Sequence, residues 1–162
     1  MLINNASSYF PTEIGDISEH DWEDLIGTNL KAPLFLCQAA APELRKRRGC
    51  IVNITDMHVE RPKKSYVIYS VAKAGLATLT KSLAHELGPL VRVNAVAPGP
   101  VLWPEDKEGF DAVYRQRVIS QTLLKHLGAP GDVAKAVLFL VRDATYTTGH
   151  TIAVDGGRSL NL

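Results

Sequence analysis
CIVNITDMHVERPKKSYVIYSVAKAGLATLTKSLAHELGPLVRVNAV, residues 50–96, decides the fold. Cys50-Ile51-Val52-Asn53-Ile54 is a short apolar run suited to a buried strand. From about Tyr66 to Leu87 the chain is rich in Ala, Leu and Lys and is closed by Gly88, which predicts a helix. The middle of that helix, Val71 to Leu83, is small or apolar on most faces, so it is expected to lie against something large. Val91-Arg92-Val93-Asn94-Ala95-Val96 then reads as a second strand, ended by Pro98-Gly99.

The alternation continues in both directions. Upstream, residues 1–5 read as a short strand, followed by a polar, turn-rich loop to Ile17. Ser18 is placed to cap a helix whose first turns carry Glu19, Asp21, Glu23 and Asp24, where the helix dipole favours negative charge. Trp22, Leu25, Ile26, Leu30, Leu34, Leu36, Cys37 and Ala40 recur at helical spacing to about Arg45, with an irregularity expected near Asn29, and Gly49 stops the basic helix end. Downstream, residues 100–122 form an excursion with one helix near its end. A further helix opens at Pro130 and Asp132 and runs to about Val141, and His150-Thr151-Ile152-Ala153-Val154 is the last strand, with a turn at Asp155-Gly156-Gly157. Strands alternating with helices imply right-handed crossovers and a parallel sheet, so the class is α/β.

Composition narrows the functional classes. The 162 residues fit one domain. Eighteen basic against 17 acidic residues leave a net charge of +1, and the longest basic block is Arg45-Lys46-Arg47-Arg48, so no nucleic-acid partner is indicated. No stretch approaches the roughly 18 apolar residues that span a bilayer, so no membrane partner is expected. Cys37 and Cys50 form no CxxC pair, which points to a cytoplasmic protein without a disulfide framework or thiolate metal site. His58 and His85 lack ligand spacing, so no metal is expected. No two glycines are separated by a single residue, hence no GxG phosphate loop occurs within these residues.

In a parallel sheet, ligands collect beyond the carboxyl ends of the strands, at Asn4–Tyr9, Thr55–Arg61, Pro98–Trp103 and from Asp155 onward. Tyr69-Ser70-Val71-Ala72-Lys73 puts a phenol and an ammonium one helical turn apart, and a neighbouring cation is expected to lower the phenol pKa for proton delivery. Asp56 follows a strand thirteen residues earlier. Taken singly, these residues also suit plainer roles: Tyr69 and Lys73 a solvated helix face, Asp56 an Asx turn, Tyr9 a loop aromatic packed on the core, Asn29 relief of a kink at Pro33, and Trp103-Pro104 a packed surface loop rather than a lid.

Together, Asn4-Asn5-Ala6, Asn29, Asp56, Tyr69, Lys73, Pro98-Gly99 and Asp155-Gly156-Gly157 resemble the short-chain dehydrogenase/reductase family over essentially the whole chain. That family usually has NNAG where this chain reads Asn4-Asn5-Ala6-Ser7, and serine where it has Asp56. Both departures, the string from Asn4 to Thr12 and the loop from Val96 to Glu105 are similar to the pteridine reductase subgroup. The resemblance implies reduction of dihydropterin or pterin, or dihydrofolate, with NADPH. It assigns proton handling to Asp56 and Tyr69, ribose binding and tuning of Tyr69 to Lys73, and a relay water to Asn29. Ser7 would touch cofactor and pterin, Tyr9 would stack on the pterin, and Trp103 would close over it. Asn5, Ala6, Pro98 and Gly99 would border the cofactor.

The same resemblance implies a homodimer or homotetramer through helices 19–45 and 66–87. Residues 1–162 would be the C-terminal part of a doubly wound Rossmann-type domain, with about four strands and without its first βαβ units, and would therefore bind NADPH poorly. Two alternatives stand beside this reading: a short-chain reductase of a ketone or acyl substrate, and a non-catalytic fragment serving as a dimerisation partner.

Overall fold
The computed structural model describes residues 1–103 and 111–160. Four parallel strands, β1 (Leu2–Asn4), β2 (Cys50–Ile54), β3 (Arg92–Pro98) and β4 (Thr151–Val154), stand in the order β1-β2-β3-β4. Along β2 the side chains alternate between two cores, as a pleated strand buried on both faces requires. Ile51 joins Cys37, Leu44, Leu87 and Val93 on one face, whereas Val52 joins Val96, Leu140 and Ala144 on the other. Helices α2 (Ala32–Lys46) and α3 (Val67–Leu87) cover the first face, and α5 (Pro130–Arg142) covers the second. Ile51, Leu76, Val93 and Leu140 are at most 1% exposed, and each such side chain contributes about 1.5–3 kcal/mol by burial. Among the described residues, no helix is long and apolar enough to cross a membrane.

The helix expected over 19–45 is three pieces. Helix α1 (Glu19–Ile26) starts at a reciprocal capping box between Ser18 and Asp21, and a π-helical segment, Gly27–Lys31, joins it to α2. There the Ala32 N–H reaches back five residues to the Gly27 carbonyl, so the expected irregularity is a widened turn with Asn29 at its middle. The end of α2 differs from expectation as well. Arg48 adopts the left-handed conformation (φ 47°), and Gly49 donates to the Leu44 carbonyl at 2.9 Å. Gly49 itself packs closely, since a Cβ there would lie 2.8 Å from a Leu44 methyl and would require that side chain to shift.

Strand β3 runs two residues beyond the expected stop. Pro98 can continue a parallel pairing with Val154, and Gly99 donates to the Val154 carbonyl at 2.9 Å. A Cβ on Gly99 would lie 2.6 Å from Asp155 Cα, which brings the ends of β3 and β4 together and sets one wall of the region beyond the sheet. Helix α4 (Ala112–Ser120) forms another part of that wall, and Pro104 and Glu105, named above with the Trp103 loop, lie outside the described residues.

Candidate active site
A cavity of about 510 Å³ opens beyond the carboxyl ends of β2 and β3. Asp56, Tyr69, Tyr9, Pro98, Gly99 and Trp103 all line it, so six of the residues singled out in the sequence meet there.

Asp56 is delivered by the end of β2. Thr55 pins that end, its N–H and hydroxyl both donating to the Val96 carbonyl. Asp56 then caps a short 3-10 turn, Met57–Val59, by accepting from the His58 N–H at 2.7 Å, so the Asx geometry is present. The same Oδ1 lies 2.7 Å from His58 Nδ1, and Oδ2 accepts from the Tyr69 hydroxyl at 2.6 Å. Burial alone would raise the Asp56 pKa. The hydrogen bonds and charge of His58, with the bond from Tyr69, nevertheless hold it below the ordinary carboxylate range.

Tyr69 is the residue at which expectation and structure part. Its phenol is 5% exposed and is pushed far above the ordinary tyrosine value, by burial first and by the Asp56 carboxylate second. Lys73 does not offset this. Its ammonium sits 5.7 Å from the Tyr69 ring centroid and spends a hydrogen bond of 2.9 Å on the Ile54 carbonyl. The expected lowering of the phenol pKa is therefore replaced by a rise, because desolvation and an adjacent carboxylate both oppose phenolate. Lys73 is itself only 3% exposed, and burial brings its pKa down to about 8.

Asn29 belongs to a separate cluster. Its amide donates to the Leu25 carbonyl at 2.9 Å and the Ser8 carbonyl at 3.0 Å, and its oxygen accepts from the Ser7 hydroxyl at 2.5 Å. The widened turn thus ties the loop after β1 to the helix, and Ser7 is brought to Asn29 rather than to Asp56. Asn5 and Ala6 are exposed in the same loop. Asn5, with Pro98, borders an apolar groove on the α5 side.

Tyr9 is stacked on Tyr66 with ring centroids 4.7 Å apart, and meets the Tyr69 ring edge-on at 4.8 Å. Lys63 donates to the Tyr9 hydroxyl at 2.7 Å and lies 4.0 Å from the Tyr66 ring centroid. Trp103 stands edge-on to Tyr114 of α4 at 6.4 Å. Sequence reading missed His58, Lys63, Tyr66, Arg117 and Arg158, all close to or lining this space. The His58 contact had a signal, because an Asx turn brings residue i+2 back onto the carboxylate. The arginines had none, since they enter from α4 and from the short helix after β4.

Residues 1–159 match the family model described as enoyl-(acyl carrier protein) reductase. The 3-oxoacyl-(acyl-carrier-protein) reductase FabG of Staphylococcus aureus is 36% identical over 97% of this chain and 65% of its own length. Dehydrogenase/reductase SDR family member 4 of Homo sapiens is 37% identical over 100% of this chain and 60% of its own. The D-xylose 1-dehydrogenase of Caulobacter vibrioides is 34% identical, covering 97% and 64% respectively. A candidate short-chain alcohol dehydrogenase from Sinorhizobium meliloti superposes with a TM-score of 0.93 at 31% identity, covering 99% of this chain and 66% of that one. The chain therefore spans slightly less than two thirds of the relatives it matches.

Proposed function
The chain belongs to the short-chain dehydrogenase/reductase family, and from that premise we propose that it carries the proton-delivering and substrate-binding part of an NADPH-dependent pteridine reductase. The observation that carries the reading is the Tyr69–Asp56 hydrogen bond of 2.6 Å, set in an aromatic-lined cavity. A carboxylate at this position suits a ring bearing amino and N–H donors, whereas a serine hydroxyl suits a simple carbonyl.

The residues present fit a nicotinamide cofactor. The Lys73 ammonium has three donors, and the structure gives it one hydrogen bond, to a backbone carbonyl. Lys73 and Tyr69 would hold the ribose, with Asn5, Ala6, Ser7, Pro98 and Gly99 bordering the nucleotide. When bound, that cofactor supplies hydride to carbon. The protein's part is the proton for the ring nitrogen, so that a C=N bond becomes CH–NH.

Tyr69 Oη is the proton donor. Burial and the Asp56 carboxylate keep it protonated at neutral pH, and they make the phenolate left after transfer a strong base that recovers a proton quickly. Lys73, an acid whose pKa burial brings down to about 8 and whose ammonium lies 5.7 Å from that ring's centroid, can return the proton. Asp56 orients the phenol and accepts from the substrate ring, and Tyr9 and Trp103 supply flat surfaces, worth roughly 0.5–1.5 kcal/mol per aromatic pair beyond burial.

NADPH oxidation by the purified protein, with dihydrobiopterin and an oxoacyl ester as competing substrates, tests the reading. It requires preference for the pterin, and Asp56→Ser should reverse that preference. Equal or better turnover of the ester by the unaltered protein would favour the second reading, a ketone or acyl reductase, which the description of the matching family model and the name of the Staphylococcus relative support. Self-association is proposed through α1–α2 and α3, where Phe35, Leu36 and Val71 are about half exposed. Native mass spectrometry of a Phe35→Glu, Val71→Glu double variant checks it.

A further inference from the structure
The cavity walls carry more positive than negative charge. Asp56 is the one carboxylate among the described lining residues, and it is already bonded to Tyr69 and His58. Against it stand Lys63, Arg117 and Arg158. Four cations elsewhere in the chain have carboxylate partners close in sequence: Lys46 and Arg47 pair with Glu43, Lys135 with Asp132, and Arg142 with Asp143. Among the described residues, none of the three cavity cations enters an ion pair.

Each is instead held by neutral groups. Lys63 is fixed by the Tyr9 hydroxyl at 2.7 Å and the Tyr66 ring. Arg158 donates to the Val118 carbonyl at 2.9 Å and to Gln121 Oε1 at 3.0 Å. Arg117 lies 5.3 Å from the Tyr114 ring centroid and is exposed at the rim. A second hollow of about 250 Å³, lined also by Arg61, shares Lys63, Arg158, His58 and Gln121 with the first, so two of the cations stand where the two spaces meet. Burial makes the Arg158 guanidinium less basic and Arg117 acts in the same direction, while Tyr114 and the Asp155 carboxylate oppose them in part. Like charges gathered in one cavity, none ion-paired to a carboxylate among the described residues, carry an electrostatic cost that an anionic ligand would relieve.

We propose that Lys63, Arg117 and Arg158 form a carboxylate-binding subsite, and that the substrate bears a carboxylate-carrying substituent reaching from the Asp56–Tyr69 pair toward the second hollow. A carboxylate is favoured over a phosphate because the three donors are side chains from a loop, the later half of α4 and the last short helix. Phosphate sites typically add the backbone N–H groups of a helix N-terminus. Guanidinium groups match a carboxylate with two parallel hydrogen bonds. The proposal rests on the cavity being the substrate site, and within the pterin reading it selects folate-type substrates over pterins with neutral side chains.

Calorimetric titration of the whole chain with two matched pairs tests it: dihydrofolate against dihydrobiopterin, and an aromatic keto acid against its ethyl ester. At low ionic strength the acid of a pair should bind at least tenfold more tightly than its neutral partner, and that ratio should shrink at 0.2 M salt. Arg117→Gln, which removes a cation whose one described contact is with a ring, should bring the ratio below threefold, as should Lys63→Gln. Equal affinities within both pairs, no binding of either acid, or a ratio unmoved by Arg117→Gln overturns the subsite. The two readings fail separately. If neither pterin binds while the keto acid outbinds its ester, the pterin assignment falls and the subsite stands; if the two pterins bind alike and the keto acid binds no better than its ester, the reverse holds.

Discussion

Replacing Lys73 by methionine separates what the ammonium does for the reaction from what it does to the fold. The side chain is 3% exposed and its pKa is brought from 10.5 to about 8 by burial. A shift of about 2.5 units is equivalent to roughly 3.4 kcal/mol of disfavoured charging at 1.36 kcal/mol per unit. The unfolded chain binds this proton more tightly than the folded one, so stability rises with pH across the interval between the two values. From pH 7 to pH 9.5 the folded protein regains about 2 kcal/mol of that penalty, while Lys73→Met, having no proton to bind, regains none of it. Urea unfolding of both proteins at the two pH values reads the difference directly, because every other titrating group cancels between them. The gap should therefore move by about 2 kcal/mol in favour of the unaltered protein as pH rises. A gap that stays constant within about 0.5 kcal/mol would refute the reasoning, since it would mean that Lys73 titrates alike in both states. At pH 7, loss of the bond to the Ile54 carbonyl offsets part of the gain, so the variant should be equal to or more stable than the parent by about 1–2 kcal/mol while losing turnover.

Other consequences can be checked in the same preparation. Tyr69→Phe keeps the ring contact with Tyr9 but removes the proton, so kcat should fall about 10²–10⁴-fold with a smaller change in KM. His58→Gln removes groups that hold Asp56 low. The stabilisation of a depressed carboxylate is present above its ordinary range and lost as pH falls through the folded value, so acid unfolding followed by circular dichroism should begin at higher pH in the variant, as should the acid limb of the rate profile. Asn29→Ala breaks three hydrogen bonds around a fully buried side chain and should destabilise the protein by about 2–4 kcal/mol in denaturant titration. Asn53→Ala severs the buried link from Asn4 across to Thr80 and should cost about 1–3 kcal/mol by the same measurement.

Periodicity carried most of the fold because each element here obeys one period. The run Cys50–Ile54 is apolar throughout since both faces of β2 are covered, and Tyr69 and Lys73 share a helix face by spacing alone. Strand ends were less legible, for Pro98 reads as a stop yet continues the pairing in a parallel ladder. The electrostatics were the least legible. The helix pair Tyr69–Lys73 suggested an activated phenol, but the Asp56 carboxylate and the depth of burial, both products of long-range packing, set the opposite direction. Arg158 is 89 positions beyond Tyr69 and lines the same cavity, a relation that no local pattern encodes.

The widened turn at Gly27–Lys31 bears on how this chain tolerates changes in length. Leu25 and Cys37 are both fully buried although they are twelve positions apart. In an unbroken α-helix, at about 100° per residue, they would point about 120° away from each other. One residue absorbed by the wide turn reduces the effective separation to eleven steps and the divergence to about 20°. A chain shortened by one residue between Ile26 and Ala32 would therefore keep both side chains facing inward along a regular helix, and the domain would still assemble. What it would give up is the displaced backbone from which Asn29 reaches the Ser7–Ser8 loop. This one-residue insertion is thus dispensable for packing, and its removal would uncouple the loop after β1 from the helix while sparing the core.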